Sequence, residues 1–204
     1  MGAHDAGDPV VRARALAGTD EAAELYGAWA GTYDDDVFGR LGFTGSARIA
    51  ELLIEHLPGA TAPVLDLGCG TGAVGRRLAE LGVTTVDGVD LSPEMLELAR
   101  RTGAYRRLAV QDLTAADLEL RGPYAATVSA GTFTSGHVGP SAVPGVLAAL
   151  APGGVIAWVI GAAVWPGFEA TLALLAPDVL HRAVEPIRRD GPPEAVMYVA
   201  RTTV

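Results

Sequence analysis

The sequence of 204 residues lacks lysine and asparagine altogether and has a single cysteine, Cys69. One cysteine excludes a disulfide framework and is typical of a reducing compartment, so a cytoplasmic location is expected. The apolar runs are shorter than a membrane span, and the start of the chain has no apolar core of the signal-peptide kind. The net charge of −9 disfavours nucleic acid as a partner, since proteins that bind it present a basic face. Composition therefore predicts a globular protein with neither membrane nor nucleic acid as a partner.

The order of apolar patterns along the chain predicts an α/β fold. A helix is expected from Asp20, and the segment SARIAELLIEHL at residues 46–57 repeats apolar side chains at helical spacing. From Val64 onward, short apolar runs alternate with helical patterns, which indicates βαβ units and a mostly parallel sheet with helices on both faces. The prediction is a flexible N-terminus at residues 1–19 and one domain, with a helical lid at residues 20–59 and a core at residues 60–204.

A glycine-rich turn follows the first predicted strand. Gly70, Gly72 and Gly75 match the G-x-G-x-x-G pattern of dinucleotide-binding proteins. Asp90 lies at the distance along the chain where such proteins place the acid that binds a ribose hydroxyl. In a parallel sheet the ligand binds beyond the carboxyl ends of the strands, which makes this turn the expected site. The pattern by itself leaves an NAD(P)- or flavin-dependent oxidoreductase open.

Asp66 argues for a different cofactor. It ends the first predicted strand, just before Gly68, and is expected at the floor of the pocket. A diphosphate there would be repelled by the carboxylate, whereas a sulfonium and an ammonium would be attracted. S-adenosylmethionine carries both of these cations. An alternative interpretation, in which Asp66 only caps the amides of the turn, is compatible with either cofactor.

Three motifs in chain order resemble those of the class I S-adenosylmethionine-dependent methyltransferases. They are VLDLGCGTG at residues 64–72, VDGVDLSPEM at residues 86–95 and QDL at residues 111–113. The resemblance implies a Rossmann-like fold with a seven-stranded sheet, S-adenosylmethionine as cofactor and S-adenosylhomocysteine as product. It also implies that Asp90 binds both ribose hydroxyls, that Asp112 accepts from the adenine amine and that Leu113 packs against the adenine ring. The other residues that it places at the cofactor are Asp66, Gly68, Cys69, Gly70, Leu91, Gln111 and Ser129.

A narrower resemblance extends over most of the chain. The segments YGAWAGTYD at residues 26–34, SAGTFTSGHV at residues 129–138 and APGG at residues 151–154 are similar to segments of the methyltransferase-like proteins named after the Williams–Beuren region, and of bacterial small-molecule methyltransferases. This similarity implies that Trp29 and Tyr33 fold over the methionine end of the cofactor as part of a lid. The chain departs from the group after Tyr124, where an acid usually follows and Ala125 stands here.

His137 and Tyr33 are the candidate catalytic residues. His137 follows the fourth predicted strand, at the rim where an acceptor would lie, and imidazole suits proton removal near neutrality. A histidine that only binds loop backbone is the alternative, and lid packing is the alternative for Tyr33. No metal is expected, because the chain has no asparagine for the Asp-Asp-Asn triad of catechol methyltransferases. Three successive carboxylates, Asp34, Asp35 and Asp36, are of the kind usually solvated.

These patterns predict an enzyme that transfers a methyl group from S-adenosylmethionine to a small organic acceptor, uncharged or cationic, by in-line displacement at the sulfonium. All 15 basic residues are arginine, a bias typical of GC-rich bacterial genomes, so bacterial secondary metabolism is the expected setting. Three alternatives stay open: cyclisation of a substrate already joined to the cofactor, a cofactor-binding regulatory protein without catalysis, and an NAD(P)-dependent oxidoreductase. The oligomeric state is not predicted.

Overall fold

The glycine-rich turn follows a strand in the middle of a sheet whose first five strands pair in parallel. The computed structural model describes residues 9–13, 16, 18–175 and 178–202. Within these residues the strands are β1 Val64–Leu67, β2 Val86–Asp90, β3 Arg107–Val110, β4 Tyr124–Phe133, β5 Leu150–Gly161, β6 Asp178–Pro186 and β7 Pro193–Arg201. Their order is β3-β2-β1-β4-β5-β7-β6, and β7 runs antiparallel to both of its neighbours. The predicted seven-stranded, mostly parallel sheet is confirmed.

Helices fill most of the connections between the strands. They are α1 Pro9–Ala13, α2 Thr19–Trp29, α3 Gly45–Ile54, α4 Ala73–Glu80, α5 Pro93–Arg101, α6 Val143–Ala148 and α7 Trp165–Leu174, with a π-helix at Asp35–Arg40 and a 3₁₀ turn at Pro140–Ala142. The start of α5 follows from its sequence: the Ser92 hydroxyl accepts from the Met95 amide at 3.2 Å, and Pro93 has no amide that needs a partner. No helix in the described part of the chain is long and apolar enough to cross a membrane.

Two hydrophobic cores lie on opposite faces of the sheet. Val64 of β1 belongs to one core and its neighbour Leu65 to the other, because side chains alternate along a strand. Helices α3 and α4 contribute buried side chains to the first core, and α6 and α7 contribute to the second. The sheet is therefore covered by helices on both faces, as a buried parallel sheet requires.

The N-terminal region differs from its prediction in two ways. Pro9–Ala13 form a helical turn and Leu16 is buried, so part of the segment predicted to be flexible has a definite structure, while residues 1–8, 14, 15 and 17 lie outside the described residues. In α3, which was included in the predicted lid, Ile49 and Leu53 are fully buried in the core. The apolar face of α3 packs on the sheet, and the candidate lid is therefore limited to the residues before it.

We call residues 18–44 the lid segment, and aromatic rings hold it together. The Trp29 and Tyr33 ring centroids are 4.7 Å apart, and the Tyr26 ring stacks on Trp29 at 6.0 Å. Leu91, which directly follows β2, packs against this aromatic cluster. The lid segment is thus placed over the carboxyl ends of the strands by apolar contacts. Its movement during function is not tested by these contacts and stays a prediction.

Replacing Trp158 by alanine should destabilise the fold by about 3–5 kcal/mol. The Trp158 side chain is fully buried, its ring lies 4.9 Å from that of Phe133, and its Nε1 donates to the Thr127 hydroxyl at 3.1 Å. Leu174→Ala is the control, because Leu174 is 86% exposed and its loss should change stability by less than about 0.5 kcal/mol. Urea unfolding measures both free energies, and similar losses in the two variants would contradict the expectation.

Candidate active site

A cleft of about 500 Å³ opens at the carboxyl ends of the parallel strands. It lies where the strand order reverses, between β1 and β4, which is where open α/β sheets bind their ligands. Its volume is in the range of cofactor and small-molecule sites. Eight of the predicted cofactor residues line this cleft: Tyr33, Gly68, Gly70, Asp90, Leu91, Gln111, Asp112 and Leu113.

The turn between β1 and α4 exposes its backbone to the cleft. Gly68 and Gly70 have φ values of +63° and +52°, the left-handed region that glycine adopts readily. A β-carbon on Gly68 would lie 2.1 Å from the Thr132 hydroxyl oxygen, which leaves no room for a side chain. A β-carbon on Gly70 would instead meet open space, and a ligand can use that space because Gly70 has no side chain. The turn therefore allows a close approach to its backbone.

Asp90 ends β2 and joins the glycine turn to the start of α5. Its Oδ2 accepts from the Gly70 amide at 2.8 Å, and its Oδ1 accepts from the Ser92 amide at 2.9 Å. Burial raises the pKa of Asp90, and the backbone amides around the carboxylate oppose that rise. A carboxylate has about four lone-pair sites, so the two amides leave others for ligand hydroxyls in the cleft.

The loop after β3 places a second carboxylate at the cleft. Asp112 Oδ1 accepts from the amide and from the hydroxyl of Thr114, at 2.7 Å each, which holds the side chain in place. Its Oδ2 has no hydrogen-bond partner in the described part of the chain. The neighbouring Leu113 is buried and forms an apolar wall, and the Gln111 side-chain amide donates to the Asp112 carbonyl at 3.3 Å. This arrangement can accept from an amine and cover an apolar ring, which is compatible with the roles that the resemblance implies.

Asp66 does not line the cleft, and its predicted contact with the cofactor stays a prediction. Its side chain is 1% exposed, and its Oδ2 accepts from the Tyr105 hydroxyl at 2.7 Å. Among the described residues no group bonds its Oδ1. Burial raises the pKa of Asp66 to about 7, and the bond from Tyr105 only partly opposes the rise. Because side chains alternate along β1, Asp66 lies on the same face as Val64, under α4 and away from the cleft.

Trp29, Cys69 and Ser129 also lie outside the wall of this cleft. The Trp29 indole is buried and donates to Asp36 at 2.8 Å. The Ser129 hydroxyl is buried and donates to a β1 carbonyl at 2.9 Å. Cys69 is buried against α5, and burial raises the pKa of its thiol. The contacts that these three residues make are structural, and their predicted contact with a cofactor stays a prediction.

An acid from the lid segment occupies the N-terminus of α4. Asp34 Oδ1 accepts from the Thr71 hydroxyl at 2.6 Å, and Asp34 Oδ2 lies 3.7 Å from the Arg76 guanidinium. Dinucleotide-binding proteins place the diphosphate at the N-terminus of the helix that follows the glycine turn. The Asp34 carboxylate lies near the start of this helix, where it contacts the side chains of Thr71 and Arg76. In the sequence Asp34 is one of three consecutive acids, and no local pattern distinguishes it from the two that follow.

His137 lines the cleft and is held by two hydrogen bonds. Its Nδ1 lies 3.0 Å from the Ser135 carbonyl, which can only accept, so Nδ1 carries the proton. Its Nε2 is therefore an acceptor, and the Tyr26 hydroxyl donates to it at 2.8 Å. Burial lowers the pKa of His137 below its ordinary value of 6.5, which makes the imidazole neutral at pH 7. Tyr33, the other catalytic candidate, also lines the cleft.

Other residues of the cleft wall were not identified from the sequence. They are Leu16, Gly18, Thr19, Ala22, Tyr26, Met95, Thr114, Ala130, Gly131, Thr132, Gly136 and Val138. Most are small or apolar, and such residues pack in the interior of any fold, so their type carries no signal of a site. Tyr26 could have been found, because its spacing from Trp29 and Tyr33 places the three rings on one side of the chain.

The fold and part of the sequence are similar to those of known methyltransferases. The structure resembles that of a TehB-like S-adenosylmethionine-dependent methyltransferase from Corynebacterium glutamicum, with a TM-score of 0.62, 22% identity, and coverage of 90% of this chain and 97% of that chain. Residues 64–154, which run from β1 into β5, match the family model described as a methyltransferase domain. The chain thus has the fold of the class I S-adenosylmethionine-dependent methyltransferases, and its residues 64–154 match a methyltransferase domain, in agreement with the resemblance of its three motifs.

Two curated proteins are similar in sequence. Human methyltransferase-like protein 27 is 36% identical over 156 residues, which cover 72% of this chain and 63% of the relative. Trans-aconitate 2-methyltransferase from Streptomyces avermitilis is 35% identical over 144 residues, which cover 66% of this chain and 51% of the relative. The chain thus spans less than two thirds of the length of either relative.

The neutral Nδ1–H tautomer of His137 should be visible by NMR. In long-range proton–nitrogen spectra at pH 7 its Nε2 should appear as an unprotonated acceptor, and its titration midpoint should lie below pH 6.5 because burial disfavours the imidazolium. Loss of the signal in His137→Gln assigns it. Tyr26→Phe removes the donor and should shift the Nε2 resonance, whereas Tyr198→Phe, a buried tyrosine away from His137, should not. A protonated Nε2 at pH 7 would contradict the assignment.

Asp66 should make stability depend on pH between about pH 4 and pH 7. A carboxyl whose pKa is raised from 3.8 to about 7 on folding favours the folded state below pH 4, and this contribution is lost as the pH rises to 7. Asp66→Asn is neutral throughout, so its free energy of unfolding relative to the unmodified protein should increase between about pH 5 and about pH 8. Urea unfolding tests this, with the exposed Asp117→Asn as control. If Asp66→Asn changed the free energy of unfolding equally at both pH values, the expected pH dependence would be refuted.

Proposed function

We propose that the protein transfers the methyl group of S-adenosylmethionine to a small organic acceptor. The charge of the cleft carries this proposal: within the described residues, its wall contains the carboxylates of Asp90 and Asp112 and no arginine. S-adenosylmethionine brings a sulfonium and an ammonium, which an acidic cleft attracts, whereas it would repel the diphosphate of a dinucleotide. The electrostatic role first expected of Asp66 is thus assigned to the two carboxylates that line the cleft.

The residues present fit this cofactor. Asp90 has lone pairs left for ribose hydroxyls, and Asp112 has an oxygen without a partner for the adenine amine. Leu113 and Leu91 supply apolar surface for a ring. The open space at Gly70 lets the cofactor approach the turn between β1 and α4. These four features lie along one wall of a cleft large enough for the whole molecule.

The chain has three tasks in such a reaction. The bound cofactor supplies an electrophilic methyl group whose leaving group is a neutral thioether. Tyr26 and Tyr33 of the lid segment line the cleft and exclude water from it, and the walls orient the acceptor, which is the main requirement of an in-line displacement. His137 Nε2 is unprotonated and can take a proton from the acceptor, a contribution of about 10²–10⁴-fold in rate.

The alternatives are less well supported. A dinucleotide-dependent oxidoreductase is disfavoured because Asp90 and Asp112 on the cleft wall would repel its diphosphate. Cyclisation of a substrate already joined to the cofactor shares the cofactor site. The unprotonated nitrogen of His137 favours transfer to a protic acceptor, for which a base is useful. A regulatory protein without catalysis has no use for such a group.

We place the reaction in the cytosol of a bacterium, in secondary metabolism. The support for this is compositional: all 15 basic residues are arginine, and Cys69 is buried and unpaired. The relative from Streptomyces avermitilis is, by its name, a methyltransferase of a small organic acid. That relative acts on an acceptor of the size we propose, although its substrate is not transferred to this chain.

S-adenosylhomocysteine should bind to the purified protein and NADH should not. Asp90→Asn should weaken the binding of S-adenosylhomocysteine by about 10- to 100-fold, because a charged hydrogen-bond acceptor is lost. Asp190→Asn changes an exposed carboxylate far from the cleft and should leave the affinity unchanged. Isothermal titration calorimetry measures the binding of both ligands to the unmodified protein and of S-adenosylhomocysteine to the two variants. Circular dichroism verifies that each variant is folded. Tight binding of NADH without binding of the thioether would refute the proposed function.

A further inference from the structure

A second cavity, of about 170 Å³, adjoins the cofactor cleft. The two spaces share four residues, Tyr26, Tyr33, Gly131 and His137, which form the wall between them. Gly131 has a φ of +89°, and a β-carbon there would meet open space. A molecule in the second cavity is therefore next to the cleft, with His137 and the rings of two tyrosines at the boundary and open space beside Gly131.

The second cavity has the size and the walls of a site for one ring. Its surface is mostly apolar and aromatic, and it is formed by Ala13, Trp29, Leu41, Phe43, Phe133, Val159, Ile187 and Ala195. An apolar protein cavity of about 150 Å³ can hold benzene, so about 170 Å³ accommodates a single six-membered ring with small substituents. Flat aromatic walls favour a ring over a flexible chain of the same volume.

The ionisable side chains around the cavity carry no net charge. Arg188 and Glu194 both line it and form an ion pair, with Nε 2.6 Å from Oε1. Burial raises the pKa of the Tyr26 and Tyr33 hydroxyls, so both are neutral. His137 is neutral as well. A charged ring would lose hydration on entry and would find no unpaired counter-charge among the described residues of the wall.

The wall shared with the cleft offers one polar position. The Tyr26 hydroxyl donates to His137 Nε2, and the other His137 nitrogen is engaged by the Ser135 carbonyl. A hydroxyl group on the ligand can accept from Tyr26, or can donate to Nε2 in its place. This position lies on the boundary between the two cavities, and a hydroxyl held there is directed toward the cofactor cleft.

We propose that the second cavity binds the acceptor, and that the acceptor is an uncharged molecule with a single six-membered ring whose hydroxyl lies at the Tyr26–His137 pair. This inference rests on the proposed function and adds the substrate class to it. In the transfer, an oxygen–carbon bond forms at the acceptor hydroxyl while the carbon–sulfur bond breaks, with its electron pair left on sulfur. The hydroxyl proton passes to His137 Nε2, so charge and atoms balance.

Binding of simple rings to the protein saturated with S-adenosylhomocysteine tests this proposal. Phenol is the probe, compared with benzoate, benzylamine and 2-naphthol, and calorimetry together with the His137 Nε2 resonance gives the readout. Phenol should bind and shift that resonance, and each of the other three should bind about tenfold more weakly or worse. Equal or tighter binding of benzoate or benzylamine, or no binding of phenol, would overturn the substrate class. Failure of S-adenosylhomocysteine itself to bind would instead refute the proposed function.

Variants of Leu41 test whether phenol binds in the second cavity. Leu41 is half-buried, lines the second cavity and does not line the cofactor cleft. Leu41→Trp should fill the cavity and weaken phenol binding about tenfold, with the affinity for S-adenosylhomocysteine unchanged. Leu41→Ala should enlarge the cavity and improve the binding of 2-naphthol relative to phenol. Leu120→Trp, at a half-buried leucine that lines neither cavity, is the matched control and should change nothing.

If both Leu41 variants bind phenol and 2-naphthol as the unmodified protein does, the second cavity is not the acceptor site. If Leu41→Trp does not fold, Leu41→Ala alone decides, because it removes atoms from a half-buried position and needs no new space. A gain in 2-naphthol binding by Leu41→Ala then supports the second cavity as the acceptor site, and the absence of a gain refutes it.

Discussion

The carboxylate of Asp90 is the interaction on which the site depends. It accepts from the Gly70 amide, in the turn after β1, and from the Ser92 amide, at the start of α5. One side chain therefore joins two loops that follow neighbouring parallel strands. These bonds help to hold the glycine turn in the left-handed conformation that opens its backbone to a ligand, and they keep the carboxylate at the wall of the cleft. A second bond, from the Cys69 amide to the Val89 carbonyl at 2.9 Å, also ties the turn to the end of β2.

Carboxylates around this turn have separate tasks because their positions differ. Asp90 faces the cleft, where its charge can meet a cationic cofactor. Asp34 comes from the lid segment and joins it to the glycine turn through the Thr71 hydroxyl. Asp66 is buried beneath α4 with Tyr105, outside the wall of the cleft, and burial raises its pKa. In the proposed function the first group meets the cationic cofactor, whereas the second and third make contacts within the protein.

The acceptor side of the site is built from neutral groups. Tyr26 and His137 form a hydrogen-bonded pair on the wall between the two cavities, and the ion pair of Arg188 with Glu194 has no net charge. In the proposed reaction, the acidic cleft binds the charged cofactor and the neutral, aromatic cavity beside it binds the uncharged ring. The lid segment contributes to both spaces, so its aromatic packing links the shape of the cofactor cleft to that of the acceptor cavity.

Local patterns determined the parallel sheet, the glycine turn and the place of Asp90, because hydrophobic periodicity, glycine spacing and strand ends are properties of neighbouring residues. The place of Asp112 was predicted from the resemblance to known methyltransferases. Only the tertiary structure decided that α3 belongs to the core, that Asp66 is buried outside the cleft wall and that Asp34 bonds to Thr71. It alone joined Tyr26 to His137, which are 111 positions apart in the chain. Contacts between distant segments, and the face on which a strand residue lies, depend on how elements pack together, and no short stretch of sequence records that.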